Sequence, residues 1–277
     1  KSLSRLVLRK SFFRKSFHPL SDMVYVFHAS ALSAMAITSY SDLKQNLIKA
    51  EVAKLNEDVI IKAKQLISEM DDEQFSSFIA EYVSSSEKEF GIVKEELKLL
   101  GVELEGDNNS IKTDSIHPRD VDFSVYTFKR SGQSQRYIQA LLEFNKKPYY
   151  PGTYDLLSVE WDSSMASYWA STCSGEIDKH DSSKRNQGIV IFYVMDRFIK
   201  SGDYVYATVQ VIGEDTGWLD YSSRYAHTFA TTDVERSHAT EFSYTPNELP
   251  SIKYSFKLNL RSDEDSWYID RDNSVKI

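Results

Sequence analysis

The stretch that decides the fold lies near the middle of the chain, where residues 154–161 read YDLLSVEW and residues 186–196 read NQGIVIFYVMD. β-Branched and aromatic side chains are frequent in both segments, and Gly188 precedes the second as a turn residue would. Residues 154–161 and 188–195 are therefore predicted to be strands. Residues 163–172, which read SSMASYWAST, lie between them and are predicted to form a helix.

The rest of the second half continues the strand pattern, because β-branched and aromatic residues alternate there with polar ones. Further strands are predicted at residues 121–128, 203–212, 226–231, 239–245 and 252–260. A second helix is predicted at residues 135–144. Residues 119–277 are therefore expected to form a strand-rich α+β domain, which is the candidate for nucleotide binding or catalysis.

The first half has a helical pattern between residues 39 and 101, where apolar residues recur mostly three to five positions apart. Helices are predicted near residues 41–69, 72–84 and 87–100. Asp71 and Gln74 fit a capping box before the second helix, and Gly101 stands where the third would stop.

A cluster of turn-forming residues at 106–110 predicts a boundary between the two halves. The predicted fold class is α+β. In this prediction a mainly helical N-terminal region, residues 1–102, precedes a mixed or mainly antiparallel β-sheet domain with a few helices.

Composition limits the classes of function. The chain has 277 residues, of which 41% are hydrophobic, so it can bury a full-sized core. Its single cysteine, Cys173, excludes an internal disulfide framework and favours a reducing, cytoplasmic compartment. The net charge of −8 argues against a surface built for nucleic acid. The apolar run at residues 189–195 is too short to span a bilayer, so no transmembrane segment is expected.

The first twenty residues differ from the rest, because they contain six basic residues and no acidic one. Such a segment is typical of an organellar targeting peptide or of a helix that binds an acidic surface or membrane. The alternative is an ordinary first element whose cations pair with the acidic body of the protein. The sequence does not identify a macromolecular target.

Two short groupings combine histidine with carboxylates, at residues 117–122 and 178–181. Either grouping has the ligand types that a divalent cation uses. Exposed turns have the same composition, and this explanation is the simpler one. No metal is therefore expected.

The segment from residue 149 to 196 resembles the FRG domain, a family named for its Phe-Arg-Gly motif. Leu156 and Leu157 match the leucines of that family, and Ala166, Tyr168 and Trp169 resemble its small-residue helix. This chain has no Phe-Arg-Gly, and Asp155 stands where the family has arginine.

The second half is also similar to ADP-ribosyltransferases. Residues 126–132 (YTFKRSG) resemble their first strand and residues 235–244 (ERSHATEFSY) their last, although the central Ser-Thr-Ser is missing. This resemblance implies NAD as a substrate and the activity of a toxin or defence effector. Arg130 would hold the pyrophosphate, and Glu241 would stabilise the ribosyl cation as the catalytic carboxylate. The alternative for Glu241 is a solvated strand face.

Three more residues are predicted to bind the cofactor in this reading. Ser158 is the polar strand residue nearest to the missing Ser-Thr-Ser, and Tyr168 or Trp169 would pack behind the site. Some ADP-ribosylating families have a histidine in the first strand in place of the arginine, so His28 is an alternative residue for holding the cofactor. The alternative for His28 is a hydrogen-bonded core histidine. The rival function is a non-enzymatic binding or structural protein that uses an aromatic-rich sheet and the basic N-terminal segment.

Overall fold

The computed structural model describes residues 40–48, 50–85, 88–106, 120–148, 152, 154–213, 216–230, 239–243, 255–259 and 264–277. The chain divides into two compact units, Lys1–Ala36 and Ile37–Ile277, and the described residues all belong to the second. The predicted boundary at residues 106–110 therefore falls inside this unit.

Twelve strands are found among the described residues. In chain order they are β1 Val102–Glu105, β2 Val121–Arg130, β3 Gln135–Phe144, β4 Asp155–Trp161, β5 Ala166–Cys173, β6 Ile177–Asp181, β7 Ile189–Val194, β8 Tyr204–Gly213, β9 Trp218–Ala230, β10 Ala239–Ser243, β11 Ser255–Asn259 and β12 Glu264–Lys276. Sheet 1 has the order β1-β2-β3-β8-β5, and sheet 2 has the order β12-β9-β4-β7-β6. β10 and β11 pair with each other. Every pairing is antiparallel.

The two five-stranded sheets pack face to face around one hydrophobic cluster. Sheet 1 contributes alternate residues such as Ile138 and Val209, and sheet 2 contributes residues such as Val159 and Phe192. Side chains two positions apart in a strand share a face, so each strand supplies one row of this core. The architecture is a β-sandwich.

In the described part of the chain, four α-helices cover the outer face of sheet 1. They are α1 Tyr40–Leu47, α2 Glu57–Glu69, α3 Asp72–Ser84 and α4 Phe90–Leu99. Their buried faces form a second cluster with aromatic residues of sheet 1, including Tyr126, Phe128 and Tyr137. The central strands of sheet 1, β2, β3 and β8, are therefore buried on both faces.

The predicted fold class is wrong. The antiparallel strands of the two sheets dominate the described residues, and the helices form a layer of the sandwich rather than a helical region that precedes a separate α+β domain. The helices and sheet 1 share one core, so the two halves of the chain depend on each other for burial.

The helices predicted at residues 135–144 and 163–172 are also wrong, since these residues form β3 and β5. Nearly every residue of β3 is buried, because one face meets the helices and the other meets sheet 2. A strand buried on both faces has no alternation of polar and apolar residues. Its leucines, alanine and glutamine then resemble a helical sequence.

Several local predictions are confirmed. The helix at residues 72–84 is α3, and its capping box is present, with the Gln74 backbone N–H donating to the Asp71 side chain at 2.8 Å. Gly101 follows α4 with a φ of 80°. All seven predicted strands correspond to strands, whereas β1, β6 and β12 were not predicted. No helix in the described ranges is long and apolar enough to cross a membrane.

Glu143 on β3 gives a stability prediction, because it lies opposite Asp122 on β2. Burial, followed by the charge of Asp122, raises the pKa of Glu143 to about 7. The folded state therefore binds this proton more tightly than the unfolded chain does. Its stabilising effect is complete below the ordinary pKa and is lost as the pH rises through about 7.

We expect Glu143→Gln to raise the free energy of unfolding by about 1 kcal/mol at pH 8, because it removes one of two facing charges. At pH 4.5 the variant and the parent should differ little. Urea unfolding at both pH values measures this, with Glu95→Gln at an exposed helix position as the control. A benefit that is equal at the two pH values would contradict the electrostatic explanation.

Candidate functional site

A cavity of about 470 Å³ lies where α3, the β5–β6 turn and the start of β8 meet. Its lining is polar and acidic. It consists of Glu73, Ser77, Cys173, Ser174, Gly175, Glu176, Gly202, Asp203, Tyr204 and Tyr206. No described lining residue is lysine or arginine.

Three local structures place these side chains. Glu73 and Ser77 are four positions apart on α3, so they project from one face of the helix. Tyr204 and Tyr206 are two positions apart on β8, so they share the face of sheet 1 that the helices cover. The turn that follows β5 brings Glu176 to the same opening.

Backbone hydrogen bonds hold this turn in place. The Ser174 N–H donates to the Tyr206 carbonyl at 3.0 Å, and the Ile177 N–H donates to the Ser174 carbonyl at 3.1 Å. The Met195 N–H donates to the Glu176 carbonyl at 3.0 Å, which joins the turn to the end of β7. The carboxylate of Glu176 therefore projects from a turn whose backbone is fixed at three points.

The pKa values of two tyrosines reflect the electrostatic environment of the cavity. Burial raises the pKa of Tyr206 to about 12, against the lowering effect of its hydrogen bond with Ser77, and Glu73 adds to the rise. Burial also raises the pKa of Tyr204, and Glu81 and Glu176 are among the charges that raise it further. The cavity thus disfavours additional negative charge.

Cys173 shows the same effect. Burial, followed by the charge of Glu73, raises the pKa of its thiol to about 11. A nucleophilic cysteine needs a lowered pKa, because the thiolate is the reactive form. Cys173 therefore lines the cavity as a neutral thiol at physiological pH.

Arg130, predicted to hold the NAD pyrophosphate, is a buried structural residue. Its guanidinium donates to the carbonyl oxygens of Ile67 at 3.2 Å and Met70 at 2.6 Å, and to the Tyr137 hydroxyl at 3.1 Å. The guanidinium also stacks on the Phe75 ring at 4.0 Å. All three of its nitrogens therefore bind groups at the α2–α3 junction and on β3.

The other two residues predicted from the transferase resemblance are only partly described. The backbone of Glu241 lies in β10, opposite Lys257 of β11, and its side chain is outside the described part of the structure. His28 lies outside the described residues altogether. Convergence of Arg130 and Glu241 on one cleft stays a prediction.

Ser158 and Tyr168, predicted to bind cofactor, lie in different sheets. Ser158 is buried on β4, where its hydroxyl donates to Glu160 at 2.7 Å and accepts the Arg224 backbone N–H at 3.1 Å. Tyr168 on β5 stacks on Trp161 with ring centroids 6.3 Å apart. Trp169, the alternative to Tyr168, is 58% exposed.

The two predicted groupings of histidine with carboxylates do not form a described site. His117 lies outside the described residues, while Asp120 binds Lys146 and Asp122 binds Asn145. In the other grouping, the Asp181 carboxylate accepts the backbone N–H of Ser183 at 2.8 Å, which is the first cause of its lowered pKa. The described carboxylates Asp120, Asp122 and Asp181 therefore each have a partner within the protein.

The lining of the cavity was missed from the sequence. Glu73 lies in the first half of the chain, and Tyr204 lies more than a hundred residues later. One feature of the sequence could have indicated part of this lining. Tyr204 and Tyr206 are two positions apart in a predicted strand, so their side chains must lie on the same face of the sheet. Nothing local indicated which helix would cover that face.

The fold and the cavity together define the class of protein: an antiparallel β-sandwich that carries a helical layer and an acidic, tyrosine-lined cavity beside it. No family model and no curated protein matches this chain. Among solved structures it is similar to the seventh ScaB type I cohesin from Pseudobacteroides cellulosolvens. That similarity has a TM-score of 0.25 and 14% identity, and it covers 34% of this chain and 70% of the cohesin chain. A similarity this weak supports no conclusion about the fold or the function of this chain.

The placement of Arg130 gives a second stability prediction. Arg130→Ala leaves two buried carbonyl oxygens and a tyrosine hydroxyl without their donor, so the free energy of unfolding should fall by about 2–4 kcal/mol. The matched control is Lys129→Ala on the same strand. Lys129 makes a partly exposed ion pair with Glu103 at 3.1 Å, and its loss should change stability by less than about 1 kcal/mol. Urea unfolding measures both, and equal losses would contradict this assignment.

Proposed function

We propose that this chain is a non-enzymatic binding protein whose cavity takes a compact organic cation of the alkylammonium class. The observation that carries the proposal is the composition of the cavity, which combines three carboxylates with two tyrosines and has no basic residue among its described lining. The proposal develops the rival function from the sequence, in which an aromatic-rich sheet recognises the partner.

Charge complementarity supports a cationic ligand. The carboxylates of Glu73, Glu176 and Asp203 lie around one opening, and part of the Asp203 carboxylate already accepts the Lys200 backbone N–H. An ammonium group would relieve the repulsion among these carboxylates. The pyrophosphate of NAD would instead add negative charge to an acidic site.

The tyrosines support an organic cation rather than a small, strongly hydrated metal ion. Aromatic rings attract ammonium groups through their negative faces, and recognition of quaternary ammonium by aromatic residues is a recurrent use of this interaction. Tyr204 and Tyr206 also provide neutral hydroxyl groups, because burial holds both in the protonated form. The volume of about 470 Å³ lies within the range of small-molecule sites.

The described lining favours binding over catalysis. The only thiol at the cavity, Cys173, has a raised pKa and is therefore a poor nucleophile. The NAD-dependent transferase, the cytoplasmic location and the contact of residues 1–20 with an acidic surface all stay predictions.

Isothermal titration with tetramethylammonium tests the proposal, and neopentyl alcohol serves as an uncharged molecule of similar shape. We expect saturable binding of the cation that weakens as salt is raised, and no measurable binding of the alcohol. Glu176→Gln removes one carboxylate from the opening and should weaken cation binding about fivefold to tenfold. Glu95→Gln, which removes a carboxylate on an exposed face of α4, should leave binding unchanged.

Two results would overturn the proposal. One is equal binding of the alcohol and the cation, which would show that the cavity selects shape rather than charge. The other is unchanged affinity in Glu176→Gln. NAD is titrated in parallel. Hydrolysis of NAD by the purified chain would favour the NAD-dependent transferase function instead.

A further inference from the structure

Three neighbouring strands of sheet 2 bring together two aspartates and a histidine that are far apart in sequence. Asp155 begins β4, His227 lies on the adjacent β9, and Asp196 follows the other neighbour, β7. One ligand atom from each residue lies within 4.8 Å of the other two, and all three residues are buried. This group, the Asp155–Asp196–His227 cluster, is separate from the acidic cavity.

Asp155 is held firmly by its surroundings. One carboxylate oxygen accepts the Thr228 backbone N–H at 2.8 Å, and the other accepts the Tyr225 hydroxyl. The Nδ1 atom of His227 lies 2.9 Å from this second oxygen. Asp155 is therefore oriented by partners on β9 alone.

Asp196 differs from Asp155 because one oxygen of its buried carboxylate has no hydrogen-bond donor in the described part of the chain. Its side chain is only 2% exposed, and Oδ2 has no hydrogen-bond partner among the described residues. Oδ2 lies 3.6 Å from the same Nδ1 atom of His227, and the backbone N–H and the charge of Arg197 also act on this carboxylate. Nδ1 carries at most one proton, and it lies closer to Asp155.

A buried carboxylate oxygen with no donor is costly, because it has lost water and gained no replacement. A single imidazole between two carboxylates cannot satisfy both. Within the described ranges, His227 is the one cationic group in an ion pair with either aspartate.

The distances fit a metal ion. Ligand atoms bound tetrahedrally at about 2.0–2.1 Å from zinc stand about 3.3 Å apart. The distances from Nδ1 to the nearer oxygen of Asp155, 2.9 Å, and to Oδ2 of Asp196, 3.6 Å, lie on either side of this value. An imidazole nitrogen with two carboxylate oxygens is a donor set that suits zinc and its transition-metal neighbours better than magnesium or calcium.

We propose that Asp155, Asp196 and His227 bind one divalent transition-metal ion of the zinc type. The ion would join β4, β9 and the end of β7, so its role is to stabilise the sandwich. This inference replaces the expectation, drawn from the sequence, that no metal is present.

Residues around the cluster support such a site. The Tyr225 hydroxyl and the Thr228 N–H fix the carboxylate of Asp155, as hydrogen bonds around metal ligands commonly do. His227 packs against the rings of Trp267 at 5.1 Å and Phe229 at 5.9 Å, which limits its rotation. The ligands are therefore held in place before any ion arrives.

Metal uptake by the full chain tests the proposal. The protein is stripped with EDTA, incubated with Zn²⁺, desalted and analysed for metal content, and its thermal unfolding is recorded with and without Zn²⁺. We expect about one zinc per chain and a higher melting temperature with zinc, because an ion bound only to the folded state stabilises it. Mg²⁺ and Ca²⁺ at the same concentration should give no comparable shift.

Asp196→Asn is the decisive variant, since Asp155→Asn would also disturb the bond to the Thr228 backbone. It should weaken zinc binding at least tenfold and remove the thermal shift, without lowering the melting temperature of the metal-free protein. The matched control is His180→Ala, which removes an exposed histidine on β6 and should keep full zinc uptake.

Three outcomes would overturn the proposal. The first is a full chain that takes up no zinc, and the second is zinc uptake that survives in Asp196→Asn but is lost in His180→Ala. The third is an Asp196→Asn protein whose metal-free form melts lower than the parent while its zinc shift is retained. This last result would show that Asp196 serves only as an ion-pair partner of His227.

Discussion

The burial of the central strands of sheet 1, β2, β3 and β8, on both faces is the constraint on which the rest of the structure depends. The inner face of sheet 1 meets sheet 2, and its outer face meets the helices. Polar groups on the outer face must therefore find partners inside the protein. Gln139 illustrates this, because its amide accepts from the Tyr126 hydroxyl at 2.5 Å and donates to the Ser76 carbonyl at 3.0 Å. Such bonds tie α3 to the sheet in one position.

This constraint also explains which elements could be predicted. The helix α3 has its own start signal in Asp71 and Gln74 and a buried stripe at helical spacing, so its bounds follow from local sequence. Most strands contain β-branched and aromatic residues and were predicted for that reason. β3 was not, because burial on both faces removes the alternation that identifies a strand. Its conformation depends on neighbours that the local sequence does not reveal.

The candidate sites were less predictable than the fold. Tyr204 and Tyr206 could be assigned to one face of a strand, but the helix that carries Glu73 could not be paired with that face. Asp155, Asp196 and His227 meet only because β7 and β9 flank β4, and this order is a property of the sheet. By contrast, Arg130 could be identified from the sequence, because it is a cation in a segment that resembles a strand. Its three partners show why an isolated charged residue is weak evidence for a ligand site.

The carboxylates of the two proposed sites differ in burial, because Glu73 is exposed and Glu176 half-buried, whereas Asp155 and Asp196 are buried. At the cavity, Glu73 and Glu176 line a space large enough for water, so their charges can remain hydrated until a ligand arrives. A weakly hydrated organic cation then gains from the tyrosine rings as well as from the charges. In the Asp155–Asp196–His227 cluster, by contrast, Asp196 is almost fully buried. A small ion that bonds directly to the ligand atoms would neutralise that cluster, so the degree of burial would determine which type of cation each proposed site accepts.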